Sequence, residues 1–286
     1  MHPTLIRIGK LDIRFYGICI ALAFLAGLTV ARRHARQEGI PVADVENFAF
    51  TAMISGVIGA RLYYVLFNLP FYVAHPLEIP AVWHGGLAIH GGIICGFLGA
   101  LLYARRKKIP FLRFADLLAG PFLLGQAIGR IGNFMNGEVH GVPVITPWSV
   151  IFRLKPAFGA WYARYLSLPV VERLRYTPRV PWGLVFPSTS PAGSEFPDTA
   201  LHPAMLYEMA LNLAGFCLIW FVLRKKRDRK PGTLWWWYLI LYSVNRIIVS
   251  FFRAEDLMIG PFRAPHAVSA LIIVFAAVML WRNARS

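Results

Sequence analysis

The recurrence of apolar runs long enough to cross a bilayer is the feature that most constrains how this chain can fold. Seven such runs lie near residues 15–31, 45–67, 87–104, 116–136, 203–223, 233–252 and 264–281. A helix of roughly 20 apolar residues spans the hydrocarbon core, so each run predicts a transmembrane helix. Only 15% of the residues are charged and 57% are hydrophobic, a balance outside the range of soluble domains. We therefore predict an all-α polytopic membrane protein, with residues 1–286 forming a single integral membrane domain.

Basic residues are distributed unevenly among the connecting loops, and this predicts the orientation. They cluster after the first, third and fifth runs, beginning at Arg32, Arg105 and Arg224. Loops rich in Lys and Arg stay in the cytoplasm. The loop over residues 68–86 has neither and falls on the other side, which places the N-terminus outside and the C-terminus in the cytoplasm. The net charge of +16 comes from Lys and Arg residues that cluster next to the apolar runs, as expected for loops that flank a membrane. Nucleic acid is therefore not expected as a partner.

The segment between the fourth and fifth runs, residues 139–201, is too long and too polar for a simple connection. It carries Trp148, Trp161 and Trp182, many prolines, and a tract rich in Ser, Pro and Gly over residues 187–194. We predict a small extracytoplasmic subdomain there. Its arginines do not contradict this side, because loops longer than ~60 residues are translocated largely regardless of charge.

The stretch Gly129–Glu138, with the sequence GRIGNFMNGE, places polar groups in the fourth apolar run. An arginine inside a membrane helix costs roughly 3 kcal/mol or more, so Arg130 needs a compensating interaction or a function. On a helix Arg130 and Asn133 share one face, and Gly137 is expected to end the helix. A second stripe, predicted to admit close approach of another helix, consists of Gly125, Gly129 and Gly132.

A second arginine, Arg246, stands beside Asn245 in the sixth apolar run, so two sites of the chain share the same local composition. Two guanidinium groups suit a phosphate, which arginine binds through paired hydrogen bonds. The alternative is that each arginine extends its head group to the membrane interface or pairs with an acid on a neighbouring helix. The joint occurrence of Arg, Asn and His at one depth favours a shared anion site.

The predicted orientation converts sequence position into depth. The fourth and sixth helices run outward, so at 1.5 Å per residue Arg130 and Arg246 each lie about 10 Å below the outer ends of their helices. Further polar residues fall near the same side, namely Tyr16, His90, His202 and Glu208. We therefore expect the site toward the outer leaflet. Simpler interpretations remain open, with Tyr16 as an interfacial aromatic, His90 as a helix-contact hydrogen bond, Glu138 as the partner of an arginine, and His84 and His140 as surface residues.

These motifs together resemble those of the bacterial prolipoprotein diacylglyceryl transferase family, over most of the chain. The most specific element is Gly129–Glu138. The supporting elements are Phe15–Gly17, Gly59–Val65, His90–Gly92, His202–Pro203, Leu206–Glu208, and Tyr242 with Arg246. The resemblance implies a seven-helix enzyme of the bacterial inner membrane that moves the diacylglyceryl group of phosphatidylglycerol onto the lipobox cysteine of a prolipoprotein. Glycerol phosphate leaves and a thioether remains, which is the first step of lipoprotein maturation.

The resemblance also implies roles for individual residues. Those implied to be catalytic are His90, Arg130, Arg246 and Tyr16. Those implied to bind phosphatidylglycerol are Arg130, Asn133, Asn136, Glu138, Gly141, Tyr242 and Arg246, with Arg61, His202 and Glu208 in support. The implied partners are phosphatidylglycerol, prolipoprotein signal peptides that carry a lipobox cysteine, and membrane lipid. No cofactor and no metal is required.

The chemistry calls for a base, because a free thiol has a pKa of about 8.5 and is mostly protonated near neutral pH. His90 is the leading candidate, since an imidazole with an ordinary pKa near 6.5 accepts protons at that pH. Tyr16 is the alternative base. Arg130, Arg246 and Asn133 are expected to hold the phosphate and to stabilise the charge that develops as glycerol phosphate leaves.

The sequence departs from the family pattern at Ser250. An acidic residue is expected there, four positions after Arg246, and the nearest acids, Glu255 and Asp256, lie further along the chain. Another class of protein, a secondary transporter for an anionic lipid, would also carry arginine at depth. Against it, the polar residues gather near one leaflet and no repeated halves with broken helices are visible. A purely structural membrane scaffold would not explain why the chain has an arginine, Arg130, inside a membrane helix.

Overall fold

The computed structural model describes residues 4–8, 11–226, 229–254 and 257–285 and is mostly helical. Its α-helices are α1 (Phe15–Gln37), α2 (Val42–Phe67), α3 (Leu69–Ala74), α4 (Ile89–Arg106), α5 (Phe111–Asn136), α6 (Trp148–Ile151), α7 (Phe158–Ser167), α8 (Val170–Arg173), α9 (Pro191–Glu195), α10 (Ala204–Cys217), α11 (Thr233–Phe252) and α12 (Ala264–Arg285). Helix α10 continues through a π-helical turn, Leu218–Val222, and a 3₁₀ turn, Leu223–Lys225. Two further 3₁₀ turns, Pro76–Glu78 and Val82–His84, lie between α3 and α4.

A long helix occupies each of the seven apolar runs. Within the described residues, five of these helices are long and apolar enough to cross a membrane, namely α1, α2, α5, α10 with its continuation to Lys225, and α12. The other two helices in the apolar runs also carry polar residues. Helix α4 ends in two arginines, and α11 contains Asn245 and Arg246. The five helices fit a multi-pass membrane protein, and the crossing of the membrane by α4 and α11 stays a prediction.

Two short antiparallel hairpins interrupt the helical pattern, and the sequence did not predict them. Strand β1 (Thr4–Ile8) pairs with β2 (Leu11–Arg14), and β3 (Met258–Ile259) pairs with β4 (Phe262–Arg263). The second hairpin turns at Gly260, whose φ of +58° favours glycine. The all-α prediction therefore holds for the long elements and misses these short strands.

The chain divides into two compact units. The first, called the α2–α4 unit, comprises Leu28–Leu118, and the second, called the α5–α12 unit, comprises Met1–Gly27 and Ala119–Ser286. The core of the α2–α4 unit is built around Phe48, whose ring stacks on that of Phe114 with the centroids 4.4 Å apart.

Helices α2 and α4 pack antiparallel along a seam of small residues. A Cβ atom added at Gly91 would lie 2.3 Å from the carbonyl oxygen of Gly59, and one added at Gly99 would lie 2.2 Å from Oγ of Ser55. Any side chain at either glycine would force the two backbones apart. The seam therefore fixes the backbone of α4 against α2.

Helices α5, α10 and α11 share one hydrophobic core in the α5–α12 unit. Its buried members are Ala119, Leu123, Ile219, Leu223, Leu234 and Tyr238. Successive contacts between α5 and α11 involve residues further toward the C-terminus in both helices. The ring of Phe122 meets that of Trp235 with centroids 5.9 Å apart, and one turn further Gln126 donates a hydrogen bond to the Tyr238 hydroxyl at 3.0 Å. The two helices are therefore parallel neighbours.

The segment between α5 and α10 is tied to the ends of α10 and α11 by an extended stretch, residues 140–144, which we call the strap. Gly141 pairs with Arg253 and Pro143 pairs with Leu201 in antiparallel bridges. The segment also has a small buried core, which consists of Phe186, Ala192, Phe196, Leu201 and Met205. Its placement outside the membrane on the extracytoplasmic side stays a prediction.

Candidate active site

The Arg130 motif, Gly129–Glu138, forms the last turns of α5 and the cap that ends it. Gly137 has a φ of +66°, its N–H donates to the Phe134 carbonyl at 3.2 Å, and the Glu138 N–H donates to the Asn133 carbonyl at 2.9 Å. This pair of bonds is a Schellman cap, in which glycine supplies the left-handed residue without a steric penalty. The prediction that Gly137 ends the helix is confirmed.

Arg130 is held by two partners on its guanidinium group. Nη1 donates to Oδ1 of Asn133 at 3.0 Å, and Nη2 forms an ion pair with Oε1 of Glu208 on α10. The Glu208 side chain is 3% exposed and that of Arg130 is 22% exposed. Arginine has five N–H donors, so within the described residues three remain for a ligand. Arg130 thus pairs with an acid on a neighbouring helix and keeps N–H donors that these two partners do not use.

Two carboxylates near the motif have different surroundings. Glu138 accepts long hydrogen bonds from the amides of Asn133 and Asn136, at 3.4 and 3.5 Å, and makes no ion pair with an arginine among the described residues. The interpretation of Glu138 as the partner of an arginine is therefore wrong, and Glu208 takes that place. Oε2 of Glu208 and Oδ1 of Asn136 are buried, and neither has a hydrogen-bond partner in the described chain. Such acceptors cost ~1–3 kcal/mol each unless a donor reaches them.

Tyr16, the second residue of α1, packs against the Arg130 motif. A Cβ atom added at Gly132 would lie 2.8 Å from Cδ2 of Tyr16, so Gly132 makes room for the ring. Gly125 faces Ala23 at ordinary contact distance, whereas nothing lies within 4 Å of a Cβ atom at Gly129. The close approach predicted for the glycine stripe is confirmed at Gly132 and is wrong at Gly129.

Arg130 and Arg246 lie on parallel neighbouring helices. The hydrogen bond from Gln126 to Tyr238 marks one level at which α5 and α11 meet. Counted from that level at 1.5 Å per residue, Arg130 lies about 6 Å and Arg246 about 12 Å further along the common direction. Tyr242, whose ring stacks on that of Tyr238 with centroids 6.1 Å apart, occupies the level of Arg130. The two arginines therefore differ in height by about one helical turn.

A buried amide pair joins α10 to α11 beside Arg246. Nδ2 of Asn245 donates to Oδ1 of Asn212 at 3.1 Å, and both side chains are buried. Asn212 follows Glu208 by one turn of α10, so the two residues lie on the same side of that helix. Helix α10 therefore contacts α5 through the pair of Glu208 and Arg130, and it contacts α11 through the pair of Asn212 and Asn245. Sequence reasoning missed Asn212, although an amide four residues after an acid in an apolar run was a usable signal.

The strap places Gly141 where no side chain fits. A Cβ atom at Gly141 would lie 2.5 Å from the carbonyl oxygen of His202 and 2.8 Å from that of Phe252. The Gly141 N–H donates to the same His202 oxygen at 2.9 Å. Gly141 therefore lets the strap pass between the start of α10 and the end of α11.

His84 and His140, both predicted to be surface residues, differ in burial. His84 is exposed, and its Nδ1 lies 2.7 Å from Oε2 of Glu78. His140 is buried, because the strap holds its side chain beside Glu195, with Nε2 3.1 Å from Oε2, and edge-on to the ring of Phe196. The prediction is confirmed for His84 and wrong for His140.

His202 is buried just before α10, and its hydrogen bonds select one tautomer. Nε1 of Trp182 donates to the Tyr207 hydroxyl at 2.8 Å, which leaves that hydroxyl to donate to Nδ1 of His202, 3.0 Å away. The hydrogen of the neutral ring then lies on Nε2, which is buried without a hydrogen-bond partner in the described residues. Burial lowers the pKa of His202 to about 4, so the ring is neutral near pH 7.

In the α2–α4 unit, Arg61 organises the loop that precedes His90. Its guanidinium donates to four backbone carbonyls, those of Glu78, Ile79, Gly85 and Gly86. The same group lies over the ring of Tyr72, 5.1 Å from the centroid. Arg61 is buried, and its charge is satisfied by these carbonyl dipoles. Arg61 thus anchors the loop to α2, and the supporting role implied for it in the reaction stays a prediction.

His90 is the second residue of α4 and is exposed. Its ring stacks on that of Tyr63 on α2, with the centroids 6.1 Å apart. The backbone that carries it is fixed on both sides, since Gly91 lies in the α2–α4 seam and the Ala88 N–H donates to the Ala60 carbonyl at 3.0 Å. His90 therefore presents an exposed imidazole on a fixed backbone, and its role as the base stays a prediction.

The model of one protein family, described as prolipoprotein diacylglyceryl transferase, matches residues 3–282. The chain belongs to this family. A Fusobacterium nucleatum protein named phosphatidylglycerol–prolipoprotein diacylglyceryl transferase is 57% identical over 99% of this chain and 98% of its own length. Proteins of that name from Synechococcus elongatus and Thermotoga maritima are 37% and 34% identical, each over 98% of this chain, and over 86% and 84% of their own lengths. The resemblance predicted from Gly129–Glu138 is confirmed.

In this diacylglyceryl transferase, most residues predicted for the site belong to the α5–α12 unit. They are Tyr16, Arg130, Asn133, Asn136, Glu138, Gly141, His202, Glu208, Tyr242 and Arg246. His90 and Arg61 belong to the α2–α4 unit. Within the larger set, direct contacts join Arg130 to Asn133 and Glu208, and Tyr16 to the backbone of the motif.

The acid expected on α11 of this transferase is replaced by Ser250, which is buried. Glu255 and Asp256, the nearest acids in the sequence, lie outside the described residues. The acid that the structure places beside an arginine of the site is Glu208, which comes from α10 instead.

A loss of stability is expected as the pH falls from 6.5 toward 4. His202 has a pKa of about 4 in the folded protein and about 6.5 in the unfolded chain, so the unfolded state takes up a proton first. The contribution is fully present above pH 6.5, and about 2 kcal/mol of it is lost at pH 5. The measurement is the melting temperature in detergent at pH 7.5 and 5.0 for the wild type and His202→Gln. Equal losses in both proteins would contradict the assignment to His202.

Proposed function

We propose that this chain transfers the diacylglyceryl group of phosphatidylglycerol to the lipobox cysteine of a prolipoprotein. The cysteine sulfur attacks the glyceryl carbon, the bond from that carbon to the phosphate oxygen breaks, and glycerol phosphate leaves with the electron pair. A thioether forms, and the thiol proton passes to a base. The observation that carries the proposal is the Arg130 guanidinium, fixed by Asn133 and buried Glu208, in a chain of this transferase family.

Arg130 and Arg246 are assigned to the phosphate. Three N–H groups of Arg130 remain after its contacts with Asn133 and Glu208 within the described residues, and Arg246 stands about one turn away in height. Two guanidinium groups stabilise the negative charge that grows on the leaving oxygen. This stabilisation is stronger in a site that excludes water, because fixed donors need not reorganise during the reaction.

The buried acceptors of the site suit the glycerol part of the head group. Phosphatidylglycerol carries hydroxyl groups next to its phosphate, and these can donate to Oδ1 of Asn136 and Oε2 of Glu208, which have no partner in the described chain. Each acceptor satisfied in this way recovers part of a ~1–3 kcal/mol penalty. A head group without hydrogen-bond donors, such as choline, would leave the penalty in place, whereas the glycerol head group can remove it.

His90 is assigned as the base that accepts the thiol proton, with Tyr16 as the alternative. The exposed His90 imidazole sits on a fixed backbone, and histidine is the side chain that most often serves as a general base. Tyr16 is also accessible and packs on the Arg130 motif. Tyrosine serves as a general base less often than histidine, so His90 is preferred.

The site is placed toward the outer leaflet of the bacterial cytoplasmic membrane. The basic loops after α1, after α4 and after the continuation of α10 support a cytoplasmic position for those three connections. The N-terminus and residues 139–201 then lie outside, and the C-terminus lies in the cytoplasm. The motif at the outer end of α5 meets its lipid and the signal peptide on the outer side.

The direct test is an assay of the purified full-length protein with phosphatidylglycerol and a synthetic lipobox peptide. The peptide is expected to gain the mass of one diacylglyceryl group, with one glycerol phosphate released per adduct. A peptide in which serine replaces the lipobox cysteine serves as the control and should gain nothing. Movement of lipid across vesicles without any adduct would overturn the proposal and favour a transporter.

The orientation predicts opposite labelling of two single cysteines. In a background without the native cysteines, Ser194→Cys should react with an impermeant maleimide added to intact cells, and Lys226→Cys should react only after lysis. Both positions are exposed, so burial does not confuse the comparison. The reverse pattern would contradict the outer-leaflet placement.

A further inference from the structure

A cavity of about 610 Å³ lies in the segment between α5 and α10. It is lined by residues of α7, α8 and the chain that follows α8, and in the described part of the chain it shares no lining residue with the Arg130 motif. Its volume falls within the range of small-molecule pockets, roughly 300–1,000 Å³.

The lining of this cavity is strongly basic. Arg164, Arg175 and Arg179 contribute three guanidinium groups, against one carboxylate, that of Glu172, among the lining residues described. None of the three arginines makes an ion pair within the part of the chain that the structure describes. Three like charges around one cavity repel one another, and an anion between them removes that repulsion. Arginine is also the side chain best suited to bind a phosphate through two hydrogen bonds.

Aromatic rings form the remaining wall of the cavity. The rings of Trp161 and Tyr165 stack with centroids 5.6 Å apart, and the ring of Tyr176 meets Tyr165 edge-on at 5.2 Å. This wall offers flat apolar surface next to the guanidinium groups. Tyr and Trp in this combination with arginine are typical of the membrane interface. Guanidinium groups beside an aromatic wall suit a phosphate that is attached to an apolar group.

The same elements expose apolar side chains that a free anion would not need. Leu166 on α7, Val170 and Val171 on α8, and Leu174 just after α8 all face outward, and Leu174 is 77% exposed. An exposed apolar group beside arginines and aromatic rings indicates a surface that rests on lipid. We propose that α7 and α8 rest in the head-group layer and that this cavity binds the phosphodiester of an anionic phospholipid, at a site separate from the Arg130 motif.

The test counts phospholipids retained by the full chain in detergent and does not depend on the transfer reaction. Native mass spectrometry follows the binding of phosphatidylglycerol, with phosphatidylcholine as the zwitterionic comparison. Arg164→Gln/Arg175→Gln removes two charges from the cavity, and the control Arg153→Gln/Lys155→Gln removes two exposed charges outside its lining. The cavity variant is expected to bind one phosphatidylglycerol about 10- to 100-fold more weakly, since a charge-assisted hydrogen bond accounts for about tenfold. The control should bind as the wild type does.

Other outcomes would overturn the proposal. Equal weakening in both double variants would reduce the effect to general surface charge, and no weakening in either would remove the site. Displacement of the lipid by free glycerol phosphate at equal concentration would make this a soluble phosphate-ester site, and tighter binding of an acidic peptide would make it a protein contact. If the double variant does not fold, the single variants Arg164→Gln and Arg175→Gln, both at exposed side chains, give the same comparison.

Discussion

His90→Gln is expected to lower the turnover of a lipobox peptide by about 10² to 10⁴, the range lost with a positioned base. Glutamine keeps the approximate size of the side chain and a hydrogen-bonding group but cannot take up the thiol proton. The α2–α4 seam depends on Gly91 and not on His90, so the fold should be retained. The measurement is the initial rate at saturating phosphatidylglycerol, together with lipid binding, which should change little.

The matched control for this variant is His84→Gln, in an exposed histidine of the same unit that pairs with Glu78. It should react at nearly the wild-type rate. A pH profile adds a second criterion, because the thiol ionises unaided above pH 8.5 and the His90→Gln rate should then recover in part. Full activity of His90→Gln at pH 7 would remove His90 from the mechanism, and Tyr16→Phe would become the decisive variant.

Arg130→Lys is expected to cost about 2 to 4 kcal/mol of transition-state stabilisation, a fall in rate of about 30- to 1,000-fold. The guanidinium reaches Asn133 with one nitrogen and Glu208 with the other, which fixes the direction of its remaining donors. An ammonium carries the same charge on one nitrogen and cannot hold both partners and a phosphate in line with the incoming sulfur. Arg246→Lys is also expected to lose activity, because a single ammonium nitrogen cannot bind a phosphate through the paired hydrogen bonds that a guanidinium makes.

The measurement for both lysine variants is the initial rate against phosphatidylglycerol concentration, after equal amounts of folded protein have been confirmed. Arg153→Lys, at an exposed arginine outside the site, is the control and should behave as the wild type. Near-wild-type rates for Arg130→Lys and Arg246→Lys would show that charge alone suffices. The assignment of the pair to the phosphate would then fail, and the two arginines would be interfacial residues.

Features that depend on residues close together in the sequence were predicted correctly. Each of the seven apolar runs contains a long helix in the described part of the chain, because the period and length of a run fix the element it forms. The helical spacing placed Arg130 beside Asn133, and the left-handed preference of glycine ended α5 at Gly137. Each of these contacts joins residues fewer than six apart in the chain.

Contacts between distant segments were predicted poorly. Glu138 was the acid nearest to Arg130 in sequence, yet Glu208 from α10 pairs with it, because the packing of α10 on α5 decides which acid is close in space. His140 was expected on the surface and is buried, since the strap is bonded to the ends of two helices. The amide pair of Asn212 and Asn245 was missed for the same reason.

Arg61 has a consequence for how far sequences of this family can diverge. It recognises the loop between α2 and α4 by main-chain oxygens and one aromatic ring, so most side chains of that loop are irrelevant to its anchoring. Gly86 is an exception, because a Cβ atom there would lie 2.6 Å from Nη1 of Arg61. Leu77 and Trp83 are exposed and take no part in the contacts of Arg61, so substitutions there are expected to leave the anchoring unchanged. The exposed surface of the loop can thus change while the path of the chain into α4 and His90 stays the same.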